Sequence, residues 1–197
     1  MEEKKSIRKT GAERKLEILR ALVSLISESE SKHITTKTLA HRLGISEAAL
    51  YRHFPGKAEM YREVIKYAEN FIVSWINKIV SENASGSDQV KTLYKLLLSL
   101  RSAEPGLISL LCGEALALED KSLQQNINKI YGYIQIAFKQ SLKLAAAQGE
   151  ISASADAAER ASFLLSLLLG HWLRFIKQDP SEKDAYTDSE LALVLAG

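Results

Sequence analysis

Twenty residues, Thr35 to Phe54 (TTKTLAHRLGISEAALYRHF), constrain this chain more than any other stretch. Two short segments of helical periodicity flank Gly44-Ile45-Ser46. Leu39, Ala40 and Leu43 mark one inward stripe, and Ile45, Leu50 and Phe54 continue it. Thr35 and Ser46 are each placed to cap a helix, since a side-chain oxygen there can accept from an otherwise unpaired amide. Gly44 can take the positive φ that ends one helix and reverses the chain in a single step. Two helices joined in this way form a helix-turn-helix, a unit that lays its second helix in the major groove of DNA. That second helix, Glu47 to His53, begins with small residues. Ala48 and Ala49 let the backbone come close to base edges, and an alanine methyl can pack on a thymine methyl. Tyr51, Arg52 and His53 bring donors suited to phosphate oxygens.

The surrounding chain predicts an all-α protein. Leu, Ala, Lys and Glu are abundant, prolines number three, and alternating β-branched runs are few. Thr10 and Glu13 form a capping box for a first helix carrying Leu16, Leu19, Leu22, Val23 and Ile26, which packs across the helix-turn-helix. Pro55-Gly56 is a turn, and Lys57 opens a long helix to about Glu82. A loop is predicted at Asn83–Asp88, a helix from Val90 to Leu100, a break at Glu104-Pro105-Gly106 and a further helix from Leu107 to Ala117. An amphipathic helix runs from Ser122 to about Gln148 and an apolar one to Ile176, which Asp179-Pro180-Ser181 ends. A short last helix spans Glu190–Ala196. The spacing thus divides the chain into a polar arm (1–11), a three-helix head holding the helix-turn-helix (12–72) and a helical body (73–197), to which a dimerisation and regulatory role comes only with the family resemblance.

Charge is unevenly spread, with its excess of cations toward the front of the chain. Residues 1–57 hold twelve Lys and Arg against seven Asp and Glu, a net +5, which leaves −3 on the remainder of a chain whose total is +2. Lys4, Lys5, Arg8 and Lys9 could trail along DNA and add sequence-independent affinity, or simply be a solvated terminus. A single cysteine, Cys112, excludes an internal disulfide and suits a reducing cytoplasm. The start, MEEKKSIRKTG, does not resemble a signal peptide. The most apolar run, thirteen residues between Arg160 and Arg174, falls short of the roughly 20 needed to cross a bilayer. A soluble cytoplasmic protein without membrane contact is expected.

Chemistry-bearing clusters are sparse. His33, His41, His53 and His171 lack the i, i+4 pairing of a helical metal site. Cys112 reads as a buried structural thiol. Glu119 and Asp120 are adjacent and diverge on a helix. His171 reads as a satisfied interface histidine or, alternatively, a ligand contact. With no Gly-rich phosphate loop either, neither enzymatic activity nor a metal or cofactor is expected.

The helix ending at Ile176 is apolar nearly all round and must be covered on every side. A second copy is the expected cover, with Phe163, Leu164, Leu167, Gly170 and Trp172 at the interface; the alternative is a central core helix of a monomer. Two recognition helices one helical turn apart, about 34–36 Å, would read a palindrome.

The pattern T-x-x-x-L-A-x-x-L-G-I-S-x-x-x-L-Y-x-H-F-x-x-K, from Thr35 through Lys57, resembles the signature of TetR-type DNA-binding proteins. The resemblance implies a homodimer formed through the last two long helices, acting as a transcriptional regulator, usually a repressor, with a small-molecule effector that moves the fourth helix. It implies phosphate contacts from Thr36, Lys37, Tyr51, His53 and Lys57, beside Thr35 at the same helix start. Ser46, Glu47, Ala48, Ala49 and Arg52 would line the base edges. Glu47 could accept from cytosine N4 or simply favour the helix start. Gly56 departs from the Ser, Asn or Asp usual in the family, which implies a weaker start to the fourth helix. Beyond the motif, PGLISLLCGEALALEDKSLQQNINKI is similar to the nucleoid occlusion branch of that family. Members of that branch bind many chromosomal sites and, when DNA-bound, act on polymers of the division protein FtsZ. The partner's acidic tail would lie along the fourth and fifth helices, where this chain offers Tyr67, Phe71, Trp75, Leu96 and Ser99, with Arg101, Ala103 and Glu104 nearby.

Overall fold

The computed structural model describes residues 10–28, 34–113, 116, 121–152, 154, 156–177 and 187–196. The basic arm, His33, Glu119, Asp120 and the Asp179-Pro180-Ser181 stop lie outside the described residues. Among the described residues the regular structure is helical throughout: α1 (Gly11–Glu28), α2 (Thr36–Leu43), α3 (Glu47–Tyr51), α4 (Lys57–Glu82), α5 (Gly86–Ala103), α6 (Pro105–Leu111), α7 (Lys121–Ala147), α8 (Ala157–Ile176) and α9 (Thr187–Leu195).

The capping box opens α1 as its sequence requires. The Thr10 amide donates to Glu13 Oε2 at 2.7 Å and the Glu13 amide donates to Thr10 Oγ1 at 3.2 Å. The face of α1 that enters the head core is Ile18, Leu22 and Ile26, packed with Leu39, Ala40, Leu50, Phe54, Met60 and Tyr61. This corrects the stripe expected from Leu16, Leu19 and Val23. Leu16 is largely exposed and the other two are half-buried, because α1 carries a second apolar face that turns toward α6.

α4 has the predicted limits. Its N-cap Gly56 makes no side-chain hydrogen bond, so the helix starts without the cap the family pattern supplies. Met60, Val64 and Ile65 lie in the head, whereas Ile72 and Ile79 meet the body, and the core is continuous from one to the other. α5, α7 and α8 complete a bundle around Tyr94, Leu97, Phe138, Leu142, Leu164, Leu168 and Trp172.

α5 begins inside the expected loop. Ser85 caps it by accepting from the Asp88 amide, while the Gly86 and Ser87 amides donate to Gln148 Oε1 and Glu150 Oε2, both at 2.8 Å. The start of α5 is therefore satisfied from the end of α7, 62 and 63 residues away in sequence. α6 begins at Pro105, in the first helical position where its missing N–H costs nothing, and stops at Leu111, short of the predicted end. Gly106 lies so close to α1 that a Cβ there would stand 2.1 Å from the Val23 carbonyl oxygen.

Candidate DNA-reading head and adjoining cleft

The helix-turn-helix is built by its caps. Thr35 Oγ1 accepts from the Thr38 amide at 3.0 Å, and Ser46 Oγ accepts from the Ala49 amide at 3.1 Å. Gly44, at φ 64°, sends its own N–H back to the end of α2 and turns the chain into α3. Leu50 alone anchors α3 in the core, so the helix is free to present its other faces. Ala48 and Arg52 are exposed, Ala49 is half-buried, and Tyr51 is 47% exposed. Lys37 is exposed on α2, and the half-buried His53 follows α3. The Lys57 ammonium lies 5.4 Å from the centre of the Tyr61 ring, which holds the lysine at the base of the head. Thr36 Oγ1 donates to Glu47 Oε2 at 2.8 Å, and the Tyr51 hydroxyl donates to Thr36 Oγ1 at 3.4 Å. Sequence reasoning missed this tie, since partners 11 and 15 residues apart carry no periodic signal.

Beside the head, a cleft of about 480 Å³ lies between α1, α4 and α6. Leu16, Leu19, Val23, Val64, Phe71 and Leu107 form apolar walls, with Tyr67 against them. Arg20, Ser24, Glu28 and Glu104 add polar groups. Tyr67, Phe71 and Trp75 form an aromatic ladder along α4, with centroid separations of 6.2 and 3.9 Å. The cleft turns toward α1 and α6, so of the five expected groove residues it gathers Tyr67 and Phe71. Trp75, Leu96 and Ser99 lie outside its lining. The Ser99 hydroxyl donates to the Leu96 carbonyl within α5. Arg101 turns inward, 5% exposed, with its guanidinium 6.0 Å from the Phe175 ring. Two polar wall residues of α1, Ser24 and Glu28, reach α2 within the head. Arg42 of α2 donates to Ser24 Oγ at 3.2 Å and pairs with Glu28. The hydrogen bond that Arg42 donates to Glu28 holds that carboxyl below its usual range.

In the body, Phe163, Leu167, Gly170 and Leu173 recur along α8 at spacings of three and four. Phe163 and Leu173 are exposed, and a Cβ at Gly170 would meet open space. Ile136 and Tyr133 of α7 are exposed as well. Two of the five expected interface residues do not belong to this face. Leu164 and Trp172 are fully buried within the protomer, and the indole N–H donates to the Leu97 carbonyl at 3.1 Å. The hydrophobic pattern of α8 is continuous, so it could not separate inward from outward residues. His171 is likewise satisfied inside the protomer, its Nε2 lying 2.8 Å from Glu190 Oε2. Glu190 Oε2 also accepts from the Tyr94 hydroxyl. Cys112 is half-buried and not sealed in the core. It adjoins Tyr131, whose phenol donates to the Leu111 carbonyl and whose pKa is raised, mainly by burial.

Comparison with known proteins accounts for both halves of the chain. Residues 18–64 match the model of bacterial regulatory proteins of the tetR family. Residues 87–190 match a tetracyclin repressor-like, C-terminal domain of the SlmA-like type. The nucleoid occlusion factor SlmA of Aliivibrio fischeri (strain MJ11) is 36% identical over 167 residues, covering 84% of this chain and 85% of that protein. SlmA of Vibrio cholerae serotype O1 is 35% identical with the same coverage. Among solved structures, the MbdR regulator of Azoarcus sp. CIB superposes with a TM-score of 0.77 at 18% identity, covering 93% of this chain and 98% of that one. FadR of Bacillus subtilis, solved with stearoyl-CoA, gives 0.72 at 19%, covering 92% and 98%. At these identities the structural likenesses speak for the fold alone.

Proposed function

The chain belongs to the TetR family of DNA-binding regulators, and from that premise we propose that it works as a homodimer reading a palindromic duplex with α3, regulating transcription from the sites it occupies. The observation that carries this reading is the capped pair α2 and α3. Within it α3 is anchored by Leu50 alone and α2 by Leu39 and Ala40, so the pair offers Ala48, Ala49 and Arg52 outward with Lys37 and Tyr51 at its edges. Ser46, Ala48, Ala49 and Arg52 approach base edges. Thr35, Thr36, Lys37, Tyr51, His53 and Lys57 serve the phosphates, which position the head without reading sequence. The second protomer covers the exposed stripe of α7 and α8.

The α1–α4–α6 cleft supports a regulated head. An occupant at its polar end would meet Ser24 and Glu28, the side chains that hold Arg42 of α2. A small-molecule effector lodged there would act on the helix-turn-helix without first crossing the body. A second reading is favoured by relatives that are named nucleoid occlusion factors and match over 84% of the chain. In that reading the protein sits at many sites on the nucleoid, and its DNA-bound form acts on FtsZ polymers, with Tyr67 and Phe71 in the contacting groove.

A genome-wide occupancy map tests both. One or a few palindromes beside a regulated gene support the repressor. Dozens of sites spread over the chromosome and thinning near the replication terminus support nucleoid occlusion. An FtsZ sedimentation assay with and without duplex then tests whether DNA switches the activity on. Absence of any sequence-specific occupancy would overturn both.

A further inference from the structure

The tie between Glu47, Thr36 and Tyr51 bears on how the head reads DNA. Glu47 and Tyr51 are four residues apart and share one face of α3. Thr36, at the start of α2, stands between them. The Tyr51 hydroxyl donates to Thr36 Oγ1, and Thr36 in turn donates to the Glu47 carboxylate. The two hydroxyls are thus polarised in one direction by a charge at the end of the line, an arrangement in which each hydrogen bond strengthens the next.

This geometry decides what the carboxylate can reach. α2 is the helix that crosses the DNA backbone, whereas the start of α3 enters the groove. A carboxylate held 2.8 Å from Thr36 is drawn toward the backbone-facing helix and away from the base edges. While that bond is kept, only the second carboxylate oxygen would be left to accept from cytosine N4, on a side chain that is half-buried. Like charge also makes a carboxylate on the backbone side a poor direct partner for phosphate. What remains is a structural task. The carboxylate fixes Thr36, and Thr36 fixes the largely exposed Tyr51 ring where its hydroxyl can meet a phosphate.

We infer that Glu47 is a positioning residue that acts through Thr36 to set the phosphate-facing edge of the head, and that it does not read a base. This rests on the proposed docking of α3 in the major groove. The test uses the full-length protein, its strongest duplex selected from a random pool, all single-base variants of that duplex, and a shuffled duplex. Glu47→Ala should weaken binding to all of them by a common factor of about three to ten, leaving the order of base preferences unchanged. Glu47→Gln, whose amide oxygen still accepts from Thr36, should bind as the parent does. Thr36→Val combined with Glu47→Ala should bind no more weakly than the weaker single variant, since both break one line of contacts.

Relaxed preference at a single base pair in Glu47→Ala would make the residue a reader and overturn the inference. So would losses that multiply in the double variant, or the absence of any loss in Glu47→Ala. Ala49→Lys on the same duplexes separates this failure from that of the docking itself. Unchanged base preference in Ala49→Lys would mean that α3 does not face the groove at all.

Discussion

Tyr51 and Ala49 stand two positions apart on a helix of five residues, yet they face different parts of the proposed duplex. Tyr51 is exposed at the edge, tied to α2 through Thr36. Ala49 is half-buried beside the Ser46 cap, with a side chain too small to reach beyond the groove floor. Substituting them should therefore fail in different ways. Tyr51→Ala removes a phosphate partner and should lower affinity by about tenfold on every duplex, as fluorescence anisotropy would show. Ala49→Lys places a long cation where the proposed docking sets a methyl against the bases, and should redistribute or abolish sequence preference in a selection experiment. Equal behaviour of the two variants would mean that α3 enters the groove differently. At this scale the sequence was highly legible where an interaction is local. The caps at Thr35 and Ser46 and the turn at Gly44 follow from residue type and spacing. The line from Tyr51 through Thr36 to Glu47 does not, because it exists only once the turn has brought two helix starts together.

The elements differ in how far their limits are set by their own residues. α4 runs from Lys57 to Glu82 as its apolar periodicity requires, since a turn precedes it and a polar loop follows. α5 starts earlier than its Leu-rich pattern suggests, because its first amides find Gln148 and Glu150 beyond the end of α7, distant in sequence but adjacent in space. That contact predicts an acid-sensitive join. The Ser87 amide, before any other cause, holds the Glu150 carboxyl below its ordinary value of 4.5. A depressed carboxyl stabilises the fold fully above its unfolded value, and the stabilisation is lost as pH falls through the folded one. Urea midpoints measured downward from about pH 4.5 should therefore decline less steeply in Glu150→Gln than in the parent. α6 makes the second sharp prediction. A Cβ on Gly106 would meet the Val23 carbonyl at 2.1 Å and the Ser27 amide nitrogen at 3.1 Å, both backbone atoms of α1. Gly106→Ala must push α6 from α1, which should destabilise the chain by about 1–3 kcal/mol in equilibrium denaturation. The same displacement widens the cleft whose polar end holds Arg42. DNA affinity should thus change more in Gly106→Ala than in Glu150→Gln, whose join lies away from the cleft lining. Equal shifts in both would argue against any link between α6 and the head.

For the whole molecule the question is what covers the stripe on α7 and α8. Sequence periodicity made α8 apolar on every side and so implied a cover without saying which residues needed one. Packing resolves it: Leu164, Leu168 and Trp172 turn inward, leaving Phe163 51% and Ile136 53% exposed. Tyr133 and Leu173 extend the same surface, and the missing side chain of Gly170 leaves room for close approach. Exposed aromatic and branched residues aligned at helical spacing on two neighbouring helices are what a two-fold interface buries, each copy offering the same patch. Phe163→Glu would place a carboxylate on that patch, where desolvation and, across a two-fold interface, like charge would oppose association. Its fold should survive, because Phe163 lies outside the protomer core. The expected result in sedimentation is a dimeric parent and a monomeric Phe163→Glu at the same concentration. On DNA, loss of the second head should leave affinity for a half-site nearly intact while removing most of the gain from a full palindrome, since the tethered second contact is what raises the effective concentration of the other head. The salt dependence should fall in parallel, because half as many phosphates are neutralised per bound complex. A variant that stayed dimeric, or a monomer that still distinguished the palindrome from its half, would place the reading unit within one protomer and require another role for the stripe.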